Sequence, residues 1–374
     1  MRRIVSIVLS AVLVIGVIIT IVATRGSSTK SLLSVTGVIG SEKKPFFDDP
    51  EVQAIFHKAG YDVHVDTAGS RQIASQVDLS KYDFAFPAGT PQADKIKRDR
   101  KAKQVYVPFS TPMAIATFSD IAGLLQKAGV ATDRGGWWSF DMGKYLALVK
   151  ADTRWKSLPG NTTYPVNKQL LITSTDINTS NSAAMYASIA SYVLNGSSVI
   201  ATASDVAQVA PDVAALFARQ GYTEQSSEAP FDDYLSIGMG KTPMVMIYEA
   251  QFVARAAKKD GSVTPSMVLM YPEPTVVSKH TLVPLTTNGD AIGALLTTNA
   301  DLQRLAVKYG FRTSQPAAFD AFVTAAGVKV APQLLDVIEP PNYDNLEALI
   351  QATTAAMKQS NNESPTSTPE TSSP

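Results

Sequence analysis

LLSVTGVIGSEKKPFFDDPEVQAIFHKAG, residues 32–60, sets a strand, a polar loop and a helix end to end. Leu32 to Ile39 reads as a buried strand. From Pro50 to Ala59 the period changes. Val52, Ile55, Phe56 and Ala59 recur at i, i+3, i+4 and i+7, which is one face of a helix. Asp49 can cap that helix, Pro50 suits its first turn, where a missing N–H costs nothing, and Gly60 ends it.

The same unit repeats outward. Val63 to Asp66, Tyr82 to Phe86 and Gln104 to Phe109 read as strands, with helices at Ser70 to Gln76 and Pro91 to Arg100 between them. This βαβαβαβ order predicts a mostly parallel sheet with helices on both faces. A second block follows, with helices expected at Asp120 to Ala128, Ser139 to Lys150, Ala183 to Leu194, Asp205 to Gln220, Gln251 to Lys259 and Leu302 to Tyr309. Gln169 to Thr173, Pro243 to Tyr248 and Ser266 to Met270 are its expected strands. The chain is 374 residues long, enough for two globular units and tails.

At the N-terminus, Arg2 and Arg3 precede an uncharged run from Ile4 to Ala23. As a helix it extends about 30 Å, the thickness of a bilayer core, and it exceeds the shorter apolar region of a cleavable signal peptide. The reading is an uncleaved transmembrane anchor with its basic end in the cytoplasm and the rest of the chain outside. Residues 1–30 are thus anchor and spacer. At the other end, residues 358–374 are expected to be a disordered tail, its last fifteen residues rich in Ser, Thr, Pro, Asn and Glu.

Composition removes several classes of function. Lys and Arg number 33 and so do Asp and Glu, which leaves no excess of cations for a nucleic-acid surface. No cysteine occurs, so disulfides, thiolate metal sites, cysteine nucleophiles and a lipid-modified cysteine are excluded. His57, His64 and His280 are scattered, with no metal-ligand spacing, and are expected at exposed or capping positions. Gly238-Met239-Gly240-Lys241-Thr242 ends like a phosphate loop, but Leu235 stands where its first glycine belongs. The acidic pairs Asp48-Asp49 and Asp232-Asp233 read as turns or caps, and Trp137-Trp138 either stacks on a sugar or peptide ring or, as such pairs more often do, anchors a loop in the core. No catalytic constellation, cofactor or metal is assigned.

In an open α/β sheet, ligands bind where strand ends lead into helix starts. The loops there are Gly40-Ser41-Glu42-Lys43, Ala68-Gly69-Ser70-Arg71, Pro87-Ala88-Gly89-Thr90 and Ser110-Thr111-Pro112, and Asn178 to Ser182 precedes the Ala183 helix. Glycines allow close approach, while hydroxyls and unpaired N–H groups hold polar atoms. The same residue types are also ordinary caps and turns.

Ala68-Gly69-Ser70-Arg71-Gln72-Ile73-Ala74 and Tyr82 to Ala88 resemble the second loop and third strand of type 2 periplasmic-binding-protein folds, in particular the molybdate-binding-like group of bacterial extracellular solute-binding proteins. Val105 to Ala116 resembles a strand crossing between lobes, Ser180 to Ala183 a second-lobe helix start, Met246 to Glu249 a return crossing, and Lys308 to Arg312 a closing helix. The resemblance implies a two-lobed α/β protein with lobe 1 at 31–112 and 251–345 and lobe 2 at 113–250. It implies ligand contacts at Ser41, Ser70, Ser110, Asn181 or Ser182, and Tyr248. The Glu42-Lys43-Lys44 loop and Glu249 add charges near the cleft that a bare oxyanion would not require; Glu249 either faces a cationic or amino-bearing solute or pairs with a lysine outside the cleft. The expected function is capture of a small polar solute for an ABC-type permease, with no reaction catalysed. The alternative is a membrane-anchored sensor or interaction protein that kept the fold without transport.

Overall fold

A computed structural model describes residues 31–218, 220, 223–334 and 336–363. The expected anchor within residues 1–30 lies outside the described residues. Among the described residues, no helix is long and apolar enough to cross a membrane.

The opening units form as the sequence predicts. Strands β1 (Leu33–Ile39), β2 (Tyr61–Thr67) and β3 (Phe84–Phe86) are parallel, in the order β2-β1-β3. Helices α1 (Lys44–Phe47), α2 (Pro50–Lys58), α3 (Ser70–Ser75) and α4 (Thr90–Arg100) fill the connections. The Asp49 side chain accepts from Glu51 N at 2.7 Å and so caps α2. Alternation along each strand sends Val35, Ile39, Phe84 and Phe86 to one core and Val38 and Ala85 to another. This half of the sheet is therefore buried on both faces.

Beyond β3 the topology departs from the expected parallel sheet. Strand β4 (Tyr106–Phe118) does not lie beside β3; β9 (Thr275–Pro284) stands between them, antiparallel to both. Residues Tyr106 to Pro112 of β4 pair with Leu282 to Val277, with a register shift beside Pro108, which has no N–H to give the ladder. The remainder of β4 pairs antiparallel with β7 (Met244–Tyr248) and β8 (Met267–Glu273). Beyond β8 come β6 (Trp138–Asp141), parallel to it, and β5 (Ala131–Asp133), antiparallel to β6. The sheet is mixed because β4 carries the chain into a second half and β9 carries it back in the opposite direction.

The second half holds α5 (Ser119–Lys127), α6 (Met142–Lys150), α7 (Asn181–Leu194), α8 (Ala203–Ala214) and α9 (Glu228–Ser236). Three expectations change here. Trp138 to Asp141 is a strand rather than the start of a helix, because Asp141 caps α6 through Lys144 N at 2.9 Å. Gln169 to Thr173 forms isolated bridges rather than a strand. The return crossing is not at Met246 to Glu249: Tyr248 caps α10 (Glu249–Ala257), β8 still belongs to the second half, and the chain crosses at β9. Helices α11 (Thr287–Thr298), α12 (Ala300–Lys308) and α13 (Pro316–Ala326), then the short β10 (Val337–Ile338), follow. The last helix, α14 (Tyr343–Glu363), extends past residue 358, where the tail was expected to begin.

Candidate functional site

The loops after β1 and β2 face the start of α7 and residues 225–227 from the second half. Gly40 to Glu42, Gly69 and Ser70 on one side, and Ser180, Asn181, Ser226 and Tyr248 on the other, enclose a chamber of about 30 Å³. That is room for ordered water or a small polar group. The chamber adjoins a groove of about 400 Å³ that shares Ser41, Glu42, Ser226 and Tyr248 with it and continues over Pro45, Tyr309 and Phe311. A larger groove, about 640 Å³, is lined by second-half residues such as Arg154 and Lys241 and does not join the halves.

The halves touch closely around the chamber. Ser41 Oγ lies 3.4 Å from Ser226 Oγ. A Cβ on Gly69 would stand 2.7 Å from the Thr179 carbonyl, and one on Gly89 2.7 Å from Asn181 Oδ1, so glycine is what permits this approach. Arg71 donates from one guanidinium to Glu347 on α14 and to the carbonyls of Ile177 and Asn178, the first of these at 3.0 Å. It bridges both halves and the C-terminal helix.

Of the expected contacts, Ser41, Ser70, Asn181 and Tyr248 come together in the chamber wall. Ser70 is buried, and its Oγ accepts from Ala88 N at 2.9 Å, which fixes the loop before α4. Asn181 Nδ2 donates to Tyr248 OH at 3.0 Å and faces Ser278 Oγ at 3.5 Å. Its Oδ1 is buried without a hydrogen-bond partner, as are both amide atoms of Gln92. Burial pushes the Tyr248 hydroxyl well above its usual range, and the Glu42 charge adds to that.

Three expected contacts fall elsewhere. Ser182 is buried, its Oγ 2.9 Å from both Thr175 Oγ1 and Ser180 Oγ, and it ties the loop before α7 together. Ser110 pairs with Lys279 across β4 and β9, whereas its neighbour Phe109 pairs with His280. The period of two therefore turns Ser110 to the other face of the sheet. Glu249 faces neither a solute nor a lysine. It is fully buried, takes 2.7 Å hydrogen bonds from Arg312 Nε and Nη2, and accepts from Tyr271 OH at 2.6 Å. This ion pair joins α10 to the residue after Phe311, behind the cleft.

The charges of the Glu42-Lys43-Lys44 loop stand at the cleft as the sequence suggests, but their burial is not legible there. Lys43 is fully buried, with its Nζ bonded to Glu42 Oε1, 3.2 Å from His280 Nδ1 and 4.9 Å from the centre of the Phe86 ring. Burial lowers its pKa against the pull of Glu42. His280, expected at the surface, is also fully buried, among Phe86, Phe109, Tyr248 and Phe311. Burial, then the Lys43 charge, pushes it well below the usual histidine range, so it is neutral. A Lys-Lys pair in a loop reads as surface, and nothing local indicates that one member turns inward. His57 and His64 are exposed and flank Asp62 at 3.4 and 3.1 Å. Among the described residues, no three potential metal ligands lie together. Trp138 is buried in the core, and Trp137 meets Tyr271 edge-on at 5.6 Å.

No protein-family model and no curated protein matches the chain. Solved structures do match. A sugar-bound ABC transporter solute-binding protein from Thermotoga lettingae aligns with a TM-score of 0.56 at 13% identity, over 88% of this chain and 95% of that one. The apo ferric ion-binding protein A of Pasteurella haemolytica aligns at 0.51 and 13% identity, over 88% and 97%. The sulfate-binding protein of Mycobacterium tuberculosis aligns at 0.50 and 16% identity, over 84% and 96%. These partners bind unlike ligands at identities this low, so the likeness is one of architecture. The chain has the type 2 periplasmic-binding-protein fold.

Proposed function

We propose that this chain is an extracytoplasmic solute-binding protein that captures a small polar ligand between two lobes and presents it to an ABC-type permease. The observation that carries the reading is the chamber, where loops from both halves of the sheet converge on hydroxyl and amide groups. The lobes are the two halves of the sheet, hinged where β4 and β9 pass between them. Ligand favours the closed form through contacts that only that form completes. The protein is held at the outer face of the membrane by the apolar run from Ile4 to Ala23. The reading assigns it no reaction.

A thermal-shift screen of the full chain in detergent tests this, with amino acids, polyamines, sugars, short peptides and oxyanions as pools. A ligand at about 100 times its Kd adds roughly 2.7 kcal/mol of stability. The expected result is a shift with one pool that weakens in Asn181→Ala and Ser41→Ala. No shift with any pool sinks the reading.

A further inference from the structure

The polarity of the chamber wall points to the class of ligand, if the cleft binds one as proposed. Glu42 carries the one carboxylate or cationic group among the residues that line the chamber; the others bring hydroxyls, amides and backbone. Its placement is fixed from behind. Oε1 takes the buried Lys43 ammonium and lies 3.5 Å from His280 Nδ1, while Lys43 lines neither the chamber nor the adjoining groove. Oε2 accepts no hydrogen bond from the described residues. The chamber wall therefore offers a carboxylate oxygen with spare acceptor capacity and no cation; Lys44, Arg255 and Lys258 line only the adjoining groove, together with Asp48 and Glu228. We propose that the chamber receives a hydrogen-bond-donating head group, an ammonium or a hydroxyl, on Glu42 Oε2 and excludes fully ionised tetrahedral oxyanions.

Three physical points support this. A fully ionised oxyanion such as sulfate or molybdate brings acceptors only, so it would leave Oε2 unsatisfied and place like charges together. The chamber, about 30 Å³, has room for a small polar head group. The ligand body then lies in the groove against Pro45, Tyr309 and Phe311, where apolar surface can be covered. Asn181 and Ser180 at the start of α7 close over it from the other half.

Titration calorimetry of the full chain in detergent, with primary amines, polyols and sulfate or molybdate as separate probes, tests the inference. Binding of an amine or a polyol is expected, weakened about 10- to 100-fold in Glu42→Gln, which is the range for losing a hydrogen bond to a charged group. Because Glu42→Gln strands the buried Lys43, the double variant Glu42→Gln/Lys43→Met removes both charges and should show the same loss while folding. An oxyanion bound by the native chain, lost in Asn181→Ala and retained or tightened in Glu42→Gln, overturns the inference but leaves the solute-binding reading standing. An amine or polyol whose affinity is unchanged in both Glu42 variants also overturns it. If no probe of any class binds, both fall together.

Discussion

Replacing Glu249 with Gln separates a structural carboxylate from a ligand contact. In the native protein both Glu249 oxygens accept from Arg312 at 2.7 Å and Oε2 also accepts from Tyr271, with the carboxylate wholly out of solvent. Removing one member of a buried ion pair costs about 3–5 kcal/mol, because the other charge is stranded. Glutamine keeps one carbonyl acceptor, and Arg312 retains the Ala331 carbonyl at 2.6 Å. The cost should therefore sit at the low end, about 3 kcal/mol. Glu249→Ala loses the Tyr271 acceptor too and should approach about 5 kcal/mol. The double variant Glu249→Gln/Arg312→Met leaves no stranded charge and should recover to within about 1 kcal/mol of native. Urea unfolding followed by tryptophan fluorescence measures this, and Trp137 against Tyr271 reports from the site itself. A 3 kcal/mol loss lowers the midpoint by about 1 M if the urea dependence is about 3 kcal/mol/M. A Glu249→Gln protein of native stability that has lost ligand affinity would place the carboxylate in the cleft and refute the argument.

Other outcomes follow from contacts between the halves and from buried titrating groups. Gly69→Ala puts a methyl 2.7 Å from the Thr179 carbonyl, so the halves should no longer close; the radius of gyration from small-angle scattering should rise, and an unchanged value counts against the closed contact. Arg71→Met removes the bridge to Glu347 and to the Ile177 and Asn178 carbonyls and should raise amide exchange at the start of α14 by about tenfold. Burial raises the Asp49 carboxyl, but hydrogen bonds from Lys308, Tyr309 and Glu51 N outweigh it and hold the pKa at about 2. The folded value lies below the unfolded one. Asp49 therefore contributes stability above about pH 4 that fades as pH falls toward 2, and Asp49→Asn should flatten that part of the acid-unfolding curve. His280 is held neutral when folded while the unfolded chain protonates near pH 6.5. Stability should fall below that pH, by up to about 1.4 kcal/mol per unit for this proton, and His280→Phe should lessen the fall.

What the sequence revealed depended on how local the cause was. The strand, cap and helix of residues 32–60 follow from neighbours a few positions apart, and the structure reproduces them. The convergence of Ser41, Ser70 and Asn181 was legible because loops at strand ends share one edge of the sheet. The inward turn of Lys43 was not, since its partner His280 is 237 positions away. Ser110 was misplaced for want of a register that only β9 supplies. For Glu249 the sequence offers a solute or a lysine because nothing near it announces Arg312, 63 positions on. Thr275 to Pro284 carries the β-branched signature of a strand, yet its insertion between β3 and β4 is a matter of topology rather than propensity.

That insertion has a consequence for synthesis. Until residues 275–284 have been made, β3 has no neighbour on the side β9 will take, and the lower part of β4 lacks the ladder it will form with β9. A nascent chain that has reached β8 thus holds most of its length with exposed backbone edges at its centre. Such edges invite pairing with other chains, and closing them links positions more than 150 residues apart, a slow event. The second half can assemble β4 to β8 beforehand. The order of folding should therefore invert the order of translation, with the N-terminal strands among the last to be secured.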